Sequence, residues 1–477
     1  MIVVMIAALT LVSALALAPA AEAGGPFMLV GAADDVVLKD DAADAASQIE
    51  RAQQAGLDTL RLTAQWTRGQ TALPPRTAGA LQTAVVAAKT GGVRIVLSLY
   101  PYGSSQTPLS PAARADFTAW AGDAVTLLPS VRDFVVGNEP NLNRFWLPQY
   151  GPDGENVAAP AYVALLAETY DAIKAIRPRS TIYGGALSPR GSDRAGTKRD
   201  THSPTRFILD MGAAYRASGR ATPIMDALAI HPYADRSNVP PSVVHPDSTS
   251  IGIADYPKLV SLLGQAFDGT AQRGSALPIL YAEFGVESRI PAGKAPLYTG
   301  TEPATVHPVD EATQATFYGQ ALQLTFCQPT VTGLLLFHYI DERPRPGWQS
   351  GLYYVDGTPK TSLARVRAAV DSTRRGVVAR CPTLGLTPKL TIATAVEPRL
   401  RVTLTSNLDA RYTLWLQRIG GKTPRLVLKG TLVGRRSKVV PVRAKLVPGR
   451  YRWRATTTAA LNPGPARSAT SRTFTIR

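Results

Sequence analysis

The sequence predicts an α/β chain in which a (β/α)8 barrel is followed by a small all-β sandwich. Short aliphatic runs alternate with helix-like stretches eight times over about 350 residues, which is typical of a barrel of parallel strands. After Gly385 the pattern changes to short runs rich in Thr, Val, Tyr and Leu, which is typical of antiparallel strands. In addition, a glutamate stands at the end of one barrel run and directly after another, and this residue is costly to bury in a core.

The eight predicted barrel strands are apolar runs with the composition of strands buried on both faces. The segments between them carry apolar residues at helical spacing. A doubly wound open sheet is the alternative fold, but the segment after the first run, Gly31–Asp34, lacks the glycine-rich phosphate loop usual there. We predict strands at 27–32, 57–63, 94–100, 133–138, 181–186, 226–231, 278–283 and 333–339, and helices that include Ala42–Gln54, Thr77–Thr90, Pro111–Leu128, Ala159–Ile176 and Glu311–Cys327.

Three long insertions follow predicted strands, at 188–202, 232–255 and 287–310. In a parallel barrel, segments that leave the strands at their carboxyl ends lie on one face of the molecule. We therefore expect these insertions to form the walls of a binding cleft on that face.

The last part of the chain contains six or seven short strand-like runs separated by turn residues such as Gly420–Gly421 and Pro448–Gly449. Their number and length favour an immunoglobulin-like or fibronectin-III-like sandwich. The expected organisation is a barrel domain at 24–380, a linker at 381–388 and a sandwich domain at 389–477.

The amino terminus begins with a long apolar run, Ile2–Ala18, followed by the small-residue pattern Ala21-x-Ala23. We interpret residues 1–23 as a secretory signal peptide, although the usual basic start is absent. An uncleaved membrane anchor is the alternative, but the run is short for a bilayer span. The remaining chain is expected to be secreted, to be extracellular or retained at the cell surface, and to have no membrane span.

Only two cysteines occur, Cys327 and Cys381. In an oxidising compartment they could form a disulfide, whose stabilising effect is about 4 kcal/mol in the chain-entropy model. Neither has a histidine nearby in the sequence, and no metal-ligand spacing is visible. We therefore expect neither a catalytic thiol, nor a metal, nor a cofactor.

The net charge of +17 is concentrated in the last fifth of the chain. Residues 381–477 contain 19 Lys or Arg and 2 Asp or Glu, whereas the rest of the chain is balanced. One interpretation of this excess is that residues 389–477 form an ordinary soluble domain in a proteome that favours arginine. Another is adhesion of residues 389–477 to an anionic cell-wall polymer. In 450–454 charge alternates along a strand, which predicts that Tyr451 and Trp453 face inward. Nucleic acid is not an expected partner of an exported chain.

Two glutamates stand at the ends of predicted barrel strands, Glu139 after the fourth and Glu283 at the end of the seventh. A carboxyl at a strand terminus adds nothing to a core, so a chemical role is indicated. Two carboxyl groups facing one cavity are what cleavage of a glycosidic bond requires, because one protonates the leaving oxygen and the other attacks or activates water.

The string Asn138-Glu139-Pro140 resembles the acid/base strand of the clan of retaining glycoside hydrolases built on a (β/α)8 barrel, which includes family 5 cellulase-like and family 39-like enzymes. The resemblance implies that Glu139 is the general acid/base and that Asn138 holds the sugar 2-hydroxyl. It also implies that Glu283 is the nucleophile, since the clan places its two carboxylates on the fourth and seventh strands.

Further residues match the clan on single strands. His231-Pro232-Tyr233 closes the sixth strand and is similar to the clan's His-x-Tyr element, which implies that Tyr233 donates to Glu283 and that His231 contacts the sugar or the acid/base. Arg61, on the second predicted strand, is similar in position to an arginine that orients the nucleophile in the family 5-like members of the clan. Since an unpaired buried arginine is prohibitive, Glu283 is its expected partner.

The chain departs from family 5 at two strands. It reads Ser98-Leu99-Tyr100 where a histidine is usual, and it lacks the tryptophan expected on the eighth strand. In family 5 that tryptophan forms the floor of the subsite that holds the hydrolysed sugar. Other aromatic rings can take its place by stacking on the sugar. The candidates are His338, Tyr339 and Trp348, with Trp66 and Trp146 as further possibilities.

The sequence therefore predicts a monomeric, secreted, retaining glycosidase acting on a β-linked polysaccharide or oligosaccharide. The alternative is a catalytically weak carbohydrate- or cell-wall-binding protein that uses the barrel and the basic domain for adhesion. The sugar, the linkage, exo or endo action, and hydrolysis or transglycosylation are left open by the sequence.

Overall fold

The structure is a computed structural model, and it describes residues 24–397 and 399–477. The predicted signal peptide, 1–23, lies outside the described residues. Eight parallel strands form a closed barrel in the order β1 to β8, and β8 pairs with β1. Closure excludes the doubly wound sheet and confirms the predicted fold. The strands are β1 (Leu29–Ala33), β2 (Thr59–Trp66), β3 (Arg94–Pro101), β4 (Asp133–Val136), β5 (Thr181–Leu187), β6 (Ala227–Ile230), β7 (Ile279–Phe284) and β8 (Val331–Phe337).

Eight α-helices surround the barrel, one after each strand. Several begin at a polar residue whose side chain accepts from backbone N–H groups of the first turn, as Asp41, Ser110, Ser203 and Asp310 do. These caps satisfy donors that a helix start leaves unpaired. The helices are α1 (Ala42–Gln54), α2 (Pro75–Gly91), α3 (Pro111–Leu127), α4 (Ala158–Ile176), α5 (Pro204–Ala217), α6 (Tyr256–Phe267), α7 (Glu311–Phe326) and α8 (Ser362–Arg374).

The core of the barrel domain has two layers, as the alternation of side chains along each strand requires. One layer fills the space between the strands and the helices. A smaller apolar cluster fills the inside of the barrel, and it includes Val96, Val135, Leu280 and Leu335. The barrel is therefore a packed core, and ligands have access to it only at its ends.

The carboxyl-terminal part forms two antiparallel sheets, as predicted. One sheet has the order β13–β10–β9, and the other has the order β12–β11–β14–β15, with β16 also pairing with β14. An apolar cluster that includes Tyr451 and Trp453, both fully buried, lies between the sheets, so both side chains face inward as expected. The strands are β9 (Leu390–Ala395), β10 (Arg401–Ser406), β11 (Ala410–Arg418), β12 (Leu426–Leu432), β13 (Ser437–Pro441), β14 (Gly449–Ala459), β15 (Arg467–Thr470) and β16 (Phe474–Ile476).

The sandwich packs on the amino-terminal end of the barrel. A disulfide joins Cys327, just after α7, to Cys381, with 5.3 Å between the Cα atoms. The Arg375 side chain, just after α8, makes hydrogen bonds of 2.9 and 2.8 Å with the carboxylate of Asp409. The sandwich therefore lies at the end opposite to the carboxyl ends of the strands. Within the described ranges, no helix combines the length and apolarity needed to cross a bilayer.

Candidate active site

Glu139 lies three residues after β4, in a turn that directs its side chain into the cleft. The turn is set by Gly137, whose φ of +97° favours glycine and whose Cβ, if present, would lie 2.8 Å from the Tyr162 ring. Glu139 itself adopts a left-handed conformation with φ +43°, and its N–H donates to the Ala186 carbonyl at 2.8 Å. A residue held in this rare conformation by its surroundings is typical of a functional site.

Glu283 lies on β7, one residue before the strand ends, and its side chain is 10% exposed. One carboxylate oxygen forms an ion pair with Arg61 of β2. The other accepts a hydrogen bond from the Tyr233 hydroxyl at 2.8 Å. Both contacts expected from the sequence are therefore present, and together they fix the orientation of the carboxylate.

His231 connects the two glutamates. Its Nδ1 lies 3.1 Å from Glu139 Oε1 and 3.5 Å from Glu283 Oε2, while its Nε2 lies 3.2 Å from Arg61 Nη1. These two carboxylate oxygens therefore cannot be further apart than the sum of the first two distances, about 6.6 Å, which is within the range of glycosidase carboxyl pairs. The Glu139 side chain is 15% exposed, so both carboxyl groups remain accessible from the cleft.

The surroundings of Glu283 favour its ionised form. Burial by itself would raise the pKa of this carboxyl, but the charges of His231 and Arg61 and the hydrogen bond from Tyr233 outweigh it, so the pKa lies below its usual value. Burial and the neighbouring Glu283 raise the pKa of Tyr233 well above its ordinary value. Tyr233 therefore stays protonated and continues to donate.

Asn138 precedes Glu139 and is partly exposed, with no side-chain hydrogen bond to the described protein residues. Its amide is therefore free to bind a ligand. Asn141, two residues after Glu139, is fully buried and was not identified from the sequence. Its side chain contacts the backbone of Ser188 and His202, which ties the loop after β4 to the loop after β5.

His338 lies at the end of β8 at the edge of the site, 15% exposed. Its Nδ1 is 3.4 Å from Oδ1 of Asp34, which lies just after β1, and its buried Nε2 has no hydrogen-bond partner in the described part of the chain. Burial lowers the pKa of His338, but Asp34, Glu342 and Glu283 together outweigh it and raise the pKa above the ordinary value. These acidic neighbours therefore favour the protonated form of His338, which can donate into the cleft.

Trp348 forms an aromatic platform beside the nucleophile candidate. Its ring centroid is 4.9 Å from that of Tyr233 and 5.3 Å from that of Phe337. Its backbone is held by Glu342, whose carboxylate accepts from the Trp348 N–H at 2.7 Å. Because Trp348 is only partly buried, it is the candidate that the structure leaves best placed to stack on a sugar.

Two of the predicted binding residues, Trp66 and Tyr339, are not part of the cleft, and these predictions are wrong. Both side chains are fully buried in the layer between strands and helices. The Trp66 indole donates to the Gln70 carbonyl and the Tyr339 hydroxyl to the Gln48 carbonyl. Trp146 is buried in the same layer, so it cannot serve as a platform either.

The acidic pair Asp34-Asp35 directly after β1 was also missed. Asp34 is buried and accepts from the backbone N–H groups of Tyr339 and Ile340, which joins the ends of β1 and β8. Asp35 accepts from the Thr63 N–H at 2.8 Å. Both residues are carboxyl groups at a strand end, the same pattern that identified Glu139 and Glu283.

Replacing Tyr233 by Phe is expected to move the acid limb of the pH profile to higher pH. Loss of the hydrogen bond removes a factor that lowers the pKa of Glu283, so the carboxylate becomes protonated at a higher pH. We also expect kcat/KM to fall about tenfold or more at the optimum, since hydrogen bonds to charged groups contribute about 1.5–3 kcal/mol. Rate measurements against pH on the wild type and the variant check this. A lower rate with an unmoved acid limb would contradict the inference that Tyr233 lowers the pKa of Glu283.

Comparison with known proteins supports the fold. No protein-family model and no curated protein matches the chain. Among solved structures, a family 39 glycoside hydrolase from the gut symbiont Bacteroides cellulosilyticus WH2 is similar, with 16% identity, a TM-score of 0.52, and coverage of 88% of this chain and 79% of that one. GH5_18 from Streptomyces cattleya, solved with GlcNAc, has 16% identity, a TM-score of 0.50, and coverage of 76% and 84%. The resemblance to (β/α)8 glycoside hydrolases of families 39 and 5 is thus confirmed at the level of the fold.

Proposed function

We propose that this chain is a secreted retaining glycosidase that cleaves a β-linked polysaccharide or oligosaccharide by double displacement. The observation that carries the proposal is the contact of one histidine, His231, with both Glu139 and Glu283. It brings two accessible carboxyl groups together at the carboxyl end of the barrel, the place where barrel enzymes carry out their chemistry. The similar solved structures of glycoside hydrolases are in agreement with this proposal.

In the first step, Glu283 attacks the anomeric carbon while Glu139 transfers its proton to the glycosidic oxygen, and the leaving group departs. In the second step, Glu139 takes a proton from water, the water oxygen attacks the anomeric carbon, and the bond to Glu283 breaks. Arg61 and Tyr233 support the first step because they keep Glu283 ionised and oriented. Asn138 is assigned to the sugar 2-hydroxyl, and Trp348 to the apolar face of the sugar ring.

The proposed export agrees with two features. The apolar start with its Ala21-x-Ala23 pattern is what secretory signals contain. The disulfide between Cys327 and Cys381 belongs to an oxidising compartment.

The test is hydrolysis of a panel of aryl β-glycosides, with the product anomer followed by proton NMR. We expect turnover of at least one member and a β-configured sugar as the first product. An α-configured first product would indicate inversion and contradict double displacement. No turnover on the aryl panel or on polysaccharides, together with retained carbohydrate binding, would favour the alternative of an adhesion protein.

A further inference from the structure

The outer face of the five-stranded sheet contains an aromatic side chain surrounded by cations. Trp415 of β11 is partly exposed on this face, because the alternation along β11 buries its neighbours Leu414 and Leu416. The strand register places Arg454 of β14 directly opposite Trp415. Lys429 of β12 is diagonally adjacent, since its register partner is Thr413.

A cavity of about 360 Å³ opens beside the Trp415 ring. This volume is in the range of small-ligand sites. Its lining combines the indole with two cations, Lys422 and Arg454, and with small or hydroxyl-bearing residues of β14 and β15, among them Thr456, Ser468 and Thr470. Lys422 and Arg454 form no ion pair with any residue that the structure describes.

One polar atom of the cavity lining, the side-chain oxygen Oε1 of Gln417, is buried without a hydrogen-bond partner among the described residues. Buried polar groups are normally paired, so this unpaired acceptor beside an open cavity marks a place where a ligand hydroxyl can donate.

The charge on this face is not neutralised within the domain. Residues 381–477 contain only two acidic residues, Glu397 and Asp409. Asp409 is occupied by Arg375 and by the N–H of Gly434. Glu397 lies in the turn after β9, which belongs to the other sheet. The cations around Trp415 therefore give this face a positive field that attracts anionic ligands.

We propose that the cavity beside Trp415 binds a sugar unit of an acidic polysaccharide, with the indole stacked on the sugar ring and Lys422 and Arg454 facing its carboxylate. The aromatic ring favours a sugar over a simple polyanion, because only a ring-shaped ligand benefits from stacking. The cations favour an acidic sugar over a neutral one. The site is at the end of the molecule opposite to Glu139 and Glu283, so it holds a polymer without blocking the cleft.

The test uses the full chain, titrated with an α-1,4-linked galacturonate hexamer by calorimetry. We expect binding that weakens with salt, and no measurable binding of the neutral, α-1,4-linked maltohexaose. Trp415→Ala should weaken binding about tenfold or more, because it removes the surface on which the sugar ring stacks. Arg454→Gln should weaken it about fivefold and reduce the salt dependence.

Arg411→Gln is the matched control for Arg454→Gln. Arg411 is an exposed arginine on β11, the strand of Trp415, and it does not line the cavity. It should change binding less than twofold, and aryl-glycoside hydrolysis should be the same in all three variants.

An equal loss of binding in Arg411→Gln and Arg454→Gln would mean diffuse electrostatic attraction and overturn the proposal. So would undiminished binding in Trp415→Ala, equally tight binding of poly-L-glutamate, or Trp415-dependent binding of single-stranded DNA that is tighter than that of the galacturonate. Circular dichroism shows whether Trp415→Ala is folded. If this variant does not fold, the comparison of Arg454→Gln with Arg411→Gln still tests the proposal.

Discussion

Replacing Glu283 by Ala is expected to abolish hydrolysis, with a loss in kcat of about ten-thousandfold or more. The substitution removes the group that attacks the anomeric carbon, and removal of a nucleophile elsewhere costs up to about 10⁶ in rate. Assays on the most active aryl glycoside of the panel, with purified wild type and variant, measure the effect.

The variant must be distinguished from a merely unfolded protein, because it leaves Arg61 buried and unpaired, which typically destabilises by about 3–5 kcal/mol. Azide provides this control. The anion can occupy the space of the missing carboxylate and attack from the same side, which restores turnover and gives an α-glycosyl azide from a β-glycoside. Rescue of this kind shows that the rest of the site is intact.

A second control is Glu287→Gln. Glu287 is a buried carboxyl four residues further along the same segment, where its side chain accepts from the Gln349 N–H at 3.4 Å. Burial raises the pKa of Glu287 to about 7, so it is already partly neutral near pH 7. We expect Glu287→Gln to retain activity within about fivefold. Equal losses in Glu287→Gln and Glu283→Ala would contradict the special role of Glu283.

Replacing Glu139 by Gln is expected to produce a loss that depends on the leaving group. A dinitrophenolate leaves without a proton, so formation of the glycosyl-enzyme should remain fast with a dinitrophenyl glycoside. For a poor leaving group the loss of the general acid should cost about 10²–10⁴-fold. Rapid-mixing measurements with a series of aryl glycosides check this through the slope of rate against leaving-group pKa, which should become steeper in the variant.

The second step gives an independent readout for Glu139. Without a general base the glycosyl-enzyme breaks down slowly, so dinitrophenol should appear in a burst followed by a slow phase. Azide needs no deprotonation and should accelerate the slow phase, giving a β-glycosyl azide. A uniform loss for all leaving groups, with no burst, would contradict the acid/base assignment and would indicate a structural role for Glu139.

The barrel and its two carboxylates could be predicted because both depend on local patterns. Each strand is a short apolar run, and an ionisable residue at the end of such a run has few structural reasons to be there. The contacts of Arg61 and Tyr233 with Glu283 followed from the resemblance and from the cost of burying an unpaired charge. Strand β15 is different, because it is short and exposed and its residues Arg467–Thr470 lack an apolar alternation from which a strand could be predicted.

The error at Trp66 has a simple geometric reason. Side chains alternate along a strand, and Arg61 and Trp66 are five residues apart on β2. If Arg61 points into the barrel, Trp66 must point towards the helices, where the structure places it against Phe117. The period of two, applied to Arg61 itself, would have excluded Trp66 from the cleft.

The positions of Tyr339 and Trp348 could not be derived in this way. Both follow the end of β8 at Phe337, beyond which the alternation of a strand no longer applies. Tyr339 is turned towards α1 and donates to Gln48, whereas Trp348 is returned to the cleft by a loop anchored on Glu342. These directions depend on contacts between residues distant in the sequence, and no local pattern encodes them.

Capture of the covalent intermediate tests the assignment of Glu283 as the nucleophile most directly. A 2-deoxy-2-fluoro glycoside with a dinitrophenyl leaving group, carrying the sugar found in the panel, slows breakdown of the glycosyl-enzyme, and peptide mass spectrometry then locates the label. We expect one fluorosugar per molecule, attached to Glu283. A label on Glu139, or time-dependent inactivation with the sugar on any other side chain, would contradict it, and so would an unlabelled enzyme whose product is inverted.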